Sequence, residues 1–198
     1  LFRSFKNTEL LYSKIATRGN ASSSYMVGFF KNTMVAYSVG YKGNIPVTRD
    51  LNRWYHVAYS FDGSTMSYYF DGKLIGQEAF SYVNYVAHTV KIGGYHVDTD
   101  TDGLKSDVRI WNYARSSAEI RASMKHRLNG DEEGLVGYWP LDEGSGEKTV
   151  NRTVWGGFST LVGASWATDL EFGLLPPLRG FTSQRNVVLA DISHGNIR

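Results

Sequence analysis

Between residues 1 and 111 the chain alternates apolar and polar positions in short runs rich in aromatic and β-branched residues, broken by Gly, Asn and Asp. A period of two with turn residues between the runs predicts many short β-strands. The plainest stretch is Trp54-Tyr55-His56-Val57-Ala58-Tyr59-Ser60-Phe61, Asp62-Gly63-Ser64-Thr65, Met66-Ser67-Tyr68-Tyr69-Phe70, then Asp71-Gly72-Lys73. Asp-Gly steps supply the positive φ of tight hairpins, so a three-strand meander running on through Leu74 and Ile75 is expected. In its first strand Tyr55, Val57, Tyr59 and Phe61 share one face, and Trp54, His56, Ala58 and Ser60 the other. Neither face is plainly polar, which predicts packing on both sides, as in a central strand of a sandwich. His56 accordingly reads as a packed, hydrogen-bonded strand residue. Further strands are expected over 10–15, 25–31, 33–39, 88–92, 107–111, 134–139 and 160–166.

One segment switches to a helical period. Ser116 and Glu119 have the spacing of a capping box, Ile120, Met124 and Leu128 follow as one apolar stripe, and Asn129-Gly130 supplies a stop. A short amphipathic helix on a β body is the expectation. Residues 141–147 read as an acidic glycine-rich loop, Pro176-Pro177 stiffens a connector, and 178–198 read as a tail or the start of a neighbouring unit.

Composition narrows the class. The 198 residues fit one domain with an ample core, and 20% charged against 42% hydrophobic residues is the balance of a chain that folds. Lys plus Arg number 21 and Asp plus Glu 19, a formal net charge of +2, which gives no field to attract nucleic acid. With no cysteine there is no disulfide framework, thiol nucleophile or thiolate zinc site. No run reaches the roughly 18 apolar residues of a membrane span. The chain opens Leu1-Phe2-Arg3 without methionine, which reads as a mature form or an excised part of a longer protein.

Trp54-Tyr55-His56-Val57-Ala58, Phe61-Asp62-Gly63 and Tyr69-Phe70-Asp71-Gly72-Lys73-Leu74 resemble the laminin-G-like jelly-roll domain of the concanavalin A-like lectin/glucanase superfamily, which is related to pentraxins. Ile92-Gly93-Gly94, Asp107-Val108-Arg109-Ile110-Trp111-Asn112 and Ala114-Arg115-Ser116 extend the match in order. So does Gly134-Leu135-Val136-Gly137-Tyr138-Trp139 with Leu141-Asp142-Glu143-Gly144-Ser145-Gly146, which is similar to a segment that joins or opens such domains. The resemblance implies an all-β, two-sheet antiparallel jelly-roll sandwich with one short surface helix over residues 1–172. Residues 173–198 would be a linker and the opening of a following unit, with 186–191 as its first strand. Before the strand at 10–15 the usual first strands have almost no room, so a sheet edge is expected to be open unless a later segment or another chain fills it.

The implied function is a non-catalytic recognition or adhesion module of a larger extracellular or cell-surface protein, binding glycan or protein with the help of Ca²⁺. A structural spacer or assembly domain whose open edge is completed by a neighbour is the alternative, and a polysaccharide hydrolase or lyase is a third. For the third the residues offer little: no Glu-x-Asp-x-x-Glu places an acid and a nucleophile across a glycosidic bond, and Asp131-Glu132-Glu133 reads as a solvated loop. The five histidines show no metalloprotease pairing, and phosphate-cradling glycine loops are absent.

Asp98, Asp100 and Asp102, followed by Gly103, place carboxylates at alternate positions, as a loop wrapping Ca²⁺ requires. Arg109 stands where a helix-loop-helix site needs its bidentate acid, so that motif is rejected. A calcium loop resembling that of pentraxins and a solvated turn both fit. Asp107 reads as ordering its own strand and loop, with Arg109 as its partner. Sugars stack on exposed rings, and Tyr95, Tyr41, Tyr82, Tyr85 and Trp155, in turn-like stretches, are the ligand-binding candidates. Lys125, His126, Arg127 and Arg121 make a basic helix face that reads as solvated. Asn20 and Asn151 each open an N-glycosylation acceptor pattern.

Overall fold

The computed structural model describes residues 2–4, 12–15, 25–30, 32–38, 41–80, 90–93, 103–168, 186–188 and 192–193. Nearly all regular structure in them is strand. The first nine strands are β1 (Phe2–Ser4), β2 (Tyr12–Ile15), β3 (Tyr25–Phe30), β4 (Thr33–Ser38), β5 (Tyr41–Pro46), β6 (Trp54–Tyr55), β7 (Val57–Phe61), β8 (Thr65–Phe70) and β9 (Lys73–Ala79). Then come β10 (Val90–Gly93), β11 (Gly103–Lys105), β12 (Val108–Trp111) and the helix α1 (Ser117–Ser123). The chain continues with β13 (Leu135–Trp139), β14 (Lys148–Val150), β15 (Phe158–Leu161), β16 (Trp166–Thr168), β17 (Asn186–Val188) and β18 (Ile192–Ser193).

The largest sheet runs β14-β15-β18-β10-β2-β3-β4-β5, and a second runs β16-β17-β11-β1-β6. The meander β7-β8-β9 follows β6 across His56, so it extends the second layer, and β12 and β13 form a separate pair. Neighbouring strands are antiparallel in every described pairing. This is the expected two-sheet sandwich with one short helix.

Two apolar clusters hold the layers together. Phe29, Met34 and Ala36 from β3 and β4 meet Met66 and Tyr68 from β8, with Phe80 beside them. Tyr55 stacks on Phe70 at 4.7 Å between ring centroids, and Phe70 meets Phe29 edge-on at 6.3 Å. The layers approach so closely here that side chains are excluded at a glycine in each: a Cβ on Gly76 would lie 2.7 Å from Ile45 Cδ1, and one on Gly43 would overlap the Tyr68 hydroxyl. The second cluster joins Ile92, Trp139 and Leu141, with Val108, Ile110, Leu161 and Trp166 packed around them.

The meander appears where the Asp-Gly steps place it, yet burial on both faces belongs to its middle strand. In β8 Met66, Ser67, Tyr68 and Tyr69 are all buried, whereas β7 is mostly half-buried. The flanking strands β7 and β9 pair both edges of β8, the β3–β4 core covers one face, and the segment around α1 lies against the meander, with Ser60 Oγ donating to the Arg115 carbonyl and Met124 beside Gly72. His56 is the break between β6 and β7. Asp71 Oδ1 accepts its backbone amide at 2.9 Å, and the Asp71 amide donates to the His56 carbonyl at 2.8 Å.

The capping box forms as expected, with the Glu119 carboxylate accepting the Ser116 amide at 2.7 Å. The helix, however, ends at Ser123, well before Asn129-Gly130, and Leu128 lies beyond it. Side chains take its carbonyls: Arg115 reaches the Glu119 carbonyl, and Arg109 reaches those of Ser123 and His126. With its last turn drawn in by guanidinium groups, the chain leaves the helical path.

Two further expectations change. The strand expected over 160–166 divides at Val162-Gly163 into β15 and β16, which belong to different sheets. In the stretch expected as a linker and the start of another unit, the described strands β17 and β18 pair with strands of this chain: Val188 opposes both Lys105 and Trp166, and Ile192 opposes both Ile92 and Leu161. β1 itself lies inside its sheet, between β11 and β6.

Candidate functional site

The hairpin β14–β15 has its polarity turned inside out. Thr149 and Ser159 oppose each other in register and are buried, whereas Lys148 and Phe158 are exposed. The buried pair serves polar partners. The Thr149 hydroxyl donates to Glu143 Oε1 at 2.9 Å, and Ser159 Oγ accepts the Trp139 indole N–H at 3.1 Å. On the outer side Lys148 Nζ lies 5.6 Å from the centroid of the Phe158 ring. Val154, Trp155, Phe158 and Val162 are 78%, 69%, 64% and 50% exposed, an apolar stretch facing water in a chain whose other aromatics of described burial, Tyr113 apart, are buried or half-buried.

The tip that carries Trp155 is held firmly at its base. Asn151 Oδ1 accepts the amide of Tyr138 at 2.9 Å and that of Thr153 at 3.2 Å. The Arg152 amide donates to the Tyr138 carbonyl at 2.8 Å, and the Asn151 amide to the Gly157 carbonyl at 3.0 Å. Beyond that base Gly156 and Gly157 turn at φ 60° and 102°, with no other atom within 4 Å of where their Cβ would be. These glycines serve the turn and leave the tip slim. Trp155 is therefore an exposed ring on a fixed mount, which limits the entropy lost when a ligand orders it.

Charges brace the base. Asp142, almost buried, pairs with both Arg127 and Arg152. Burial opposes the charge on Arg127, but the hydrogen bond and proximity of Asp142 raise its pKa above the ordinary value. Arg109 Nη2 donates to Asp107 Oδ1 at 2.9 Å, the partnership the sequence suggests. Burial, then the nearby Asp107 charge, pushes the Tyr138 hydroxyl well up. Asp107 and Arg109 balance each other, whereas Asp142 faces two guanidinium groups and leaves a net positive charge at the base, with Arg152 partly exposed. On the helix face Arg121 turns back to the Gly72 carbonyl, while Glu132 accepts the amides of Asn129 and Gly130.

Of the ligand-binding candidates, Trp155 is the one whose exposure is described. Tyr41 opens β5 opposite Ser38. Tyr95, Tyr82, Tyr85, Asn20, Asp98, Asp100 and Asp102 lie outside the described residues. Asn151 does not fit the acceptor role in the folded protein, because it is 7% exposed and its side chain carries the tip. Phe158, Val154 and Lys148 were not singled out by sequence; the available signal was Thr and Ser on the inner side of a hairpin whose outer side is aromatic.

Register also separates the candidates. Ile192 lies between Ile92 and Leu161, so Val90 sits toward the Phe158 end of β15 and Gly93 toward the opposite, Val162 end. The segment with Tyr82 and Tyr85 joins β10 at Val90, and the segment with the three aspartates leaves it at Gly93. Among the described residues, no group of three or more His, Asp or Glu side chains is placed to hold a metal ion, and no helix is long and apolar enough to cross a membrane.

A family model described as the Concanavalin A-like lectin/glucanases superfamily matches residues 5–121. That is more than half of the 198 residues. No curated protein matches the chain. Among solved structures, one named as a putative carbohydrate binding protein from Bacteroides ovatus ATCC 8483 is similar, with a TM-score of 0.55 and 17% identity. The match covers 81% of this chain and 57% of that one, a likeness of fold.

Proposed function

We propose that this chain, which belongs to the concanavalin A-like lectin/glucanases superfamily, is a non-catalytic carbohydrate-binding module of a larger extracellular or cell-surface protein. The chain spans 57% of the neighbour named as a putative carbohydrate binding protein, so the activity of a whole parent protein is part of the proposal. The observation that carries the reading is the inverted hairpin: Trp155 stands 69% exposed on a tip fixed by Asn151, with Phe158 exposed in the same hairpin. The C–H face of a pyranose packs on such a ring while its hydroxyls meet polar groups nearby. Tyr82 and Tyr85, whose segment joins β10 toward the Phe158 end, are the next candidates for the same surface. Tyr95 and Tyr41 come after them.

Affinity electrophoresis through gels containing a panel of soluble plant and microbial polysaccharides tests this. Retardation by at least one polysaccharide is expected, with Trp155→Ala weakening it by about 10–100-fold, as for loss of an aromatic anchor worth roughly 1.5–3 kcal/mol. No retardation across the panel, or equal retardation of the variant, would refute the site.

Calcium has its own place in this reading. Asp98, Asp100 and Asp102 have alternate hard oxygens, the donor type Ca²⁺ prefers, and their segment leaves β10 at the end away from Trp155. Calorimetry with Ca²⁺ should give binding heat that Asp100→Ala abolishes and Trp155→Ala leaves intact. An intact chain that takes up no Ca²⁺ would remove the metal and leave the aromatic tip standing.

A further inference from the structure

Each exposed ring of the β14–β15 hairpin has a cation as its neighbour. Residues 145–162, which hold the tip and both strands, contain three charged residues, Glu147, Lys148 and Arg152, and all are exposed. Glu147 stands at the end away from the tip, where its carbonyl accepts the Leu161 amide at 2.9 Å. The two cations stand with the rings. Lys148 Nζ lies over the Phe158 ring, 5.6 Å from its centroid. Arg152 is three peptide steps from Trp155, at most about 11 Å between Cα atoms.

The carboxylates near the base are turned inward. Asp142 is 7% exposed between Arg127 and Arg152, and Glu143 Oε1 accepts the Thr149 hydroxyl and the Val150 amide, both at 2.9 Å. Arg152 exceeds what Asp142 needs for neutrality, because Arg127, 17% exposed, already faces that carboxylate. The Arg152 side chain stays 44% exposed while Nη2 holds Asp142, and a guanidinium has further N–H donors to turn outward. Its main chain is fixed as well. The amide donates to the Tyr138 carbonyl at 2.8 Å, and the carbonyl lies where a Cβ on Gly130 would be. A net charge of +2 over the whole chain gives no long-range pull, so these cations act through contact.

We propose that the ligand of the tip is a polymer of uronic acid, whose pyranose rings pack on Trp155 and Phe158 while their carboxylates meet Arg152 and Lys148. Such a polymer carries one carboxylate on every sugar, as the hairpin sets one cation beside each exposed ring. Charge-assisted hydrogen bonds to carboxylate are roughly twice as strong as those to a neutral hydroxyl, so the cations favour the acid over its uncharged counterpart. The proposal rests on the aromatic-tip reading and adds to it the charge of the sugar.

Calorimetry of the full chain with polygalacturonate, the same polymer fully methyl-esterified and a neutral β-glucan tests it, with EDTA present so that Ca²⁺ bridges nothing. Polygalacturonate should bind about tenfold more tightly than its methyl ester, an advantage that shrinks as salt rises from about 0.05 to 0.5 M. Lys148→Gln and Arg152→Gln should each weaken polygalacturonate binding several-fold and leave the methyl ester unaffected, and Lys148→Arg should restore it. Lys73→Gln removes the same charge from β9, which packs on β5 at the opposite edge of the large sheet, and should change nothing. Equal affinity for polygalacturonate and its ester, or a preference for the glucan, would overturn charge recognition while a loss of binding in Trp155→Ala still upheld the tip. Equal weakening by Lys73→Gln and Lys148→Gln would overturn it too, as unspecific attraction. Polygalacturonate binding untouched by Trp155→Ala would overturn the tip itself and the proposal with it.

Discussion

Replacing His56 by Gln should flatten the loss of stability in acid. His56 is half-buried at the β6–β7 break, its Nδ1 is shut off from solvent without a hydrogen-bond partner, and desolvation together with neighbouring positive charge, Arg109 and Arg115 included, lowers its pKa from 6.5 to about 3. In the unfolded chain His56 takes up its proton near pH 6.5. In the folded chain it does so only near pH 3. Across that interval the unfolded state binds one more proton, so acid favours unfolding. The stability linked to this group is whole above pH 6.5, declines as pH falls, and is exhausted near pH 3. The decline is about 1.4 kcal/mol per pH unit, or roughly 2–3 kcal/mol by about pH 4.5. Urea titrations followed by tryptophan fluorescence, between about pH 7.5 and 4.5, should show His56→Gln losing less stability than wild type by that amount. Carboxylates titrate in both proteins and cancel in the difference. A constant offset is immaterial, because the slope is what reports the proton. Parallel curves for the two proteins would show that the folded state accepts the charge, and the reasoning from burial would fail.

Three other substitutions test the frame around the site. Asn151→Ala leaves the amides of Tyr138 and Thr153 without their acceptor in a buried position, and should cost about 2–4 kcal/mol in urea unfolding. Stability within about 0.5 kcal/mol of wild type would show that Asn151 does not carry the tip. Gly43→Ala drives a methyl into the Tyr68 hydroxyl and should destabilise by about 1–3 kcal/mol, detectable as a lower thermal midpoint; an unchanged midpoint would argue against such close layers. Ser116→Ala removes the acceptor from the capping box and should cost about 1 kcal/mol by the same measurement, unless side-chain capture of the helix carbonyls alone holds α1 in place.

Features written in neighbouring residues were legible before the structure. The Asp62-Gly63 and Asp71-Gly72 turns, the strands they join and the Ser116–Glu119 capping box depend on backbone preferences within a few residues. Asp107 and Arg109, two positions apart, found each other for the same reason. Trp155 was legible as a ring in a turn. The end of α1 was not, because it depends on where Arg109, from another strand, places its guanidinium.

By itself the sequence determined short β-strands, their turns and one capped helix, because alternation and turn chemistry are local properties. Only the tertiary structure decided which faces are buried and which strands are neighbours. Thr149 and Ser159 lie inward because Glu143 and the Trp139 indole meet them there, and that leaves Phe158 outside. β17 stands between β16 and β11, and β18 between β15 and β10, strands far from them in sequence. Such a match between distant segments is won against the entropy of closing long loops, and no short window of sequence contains it.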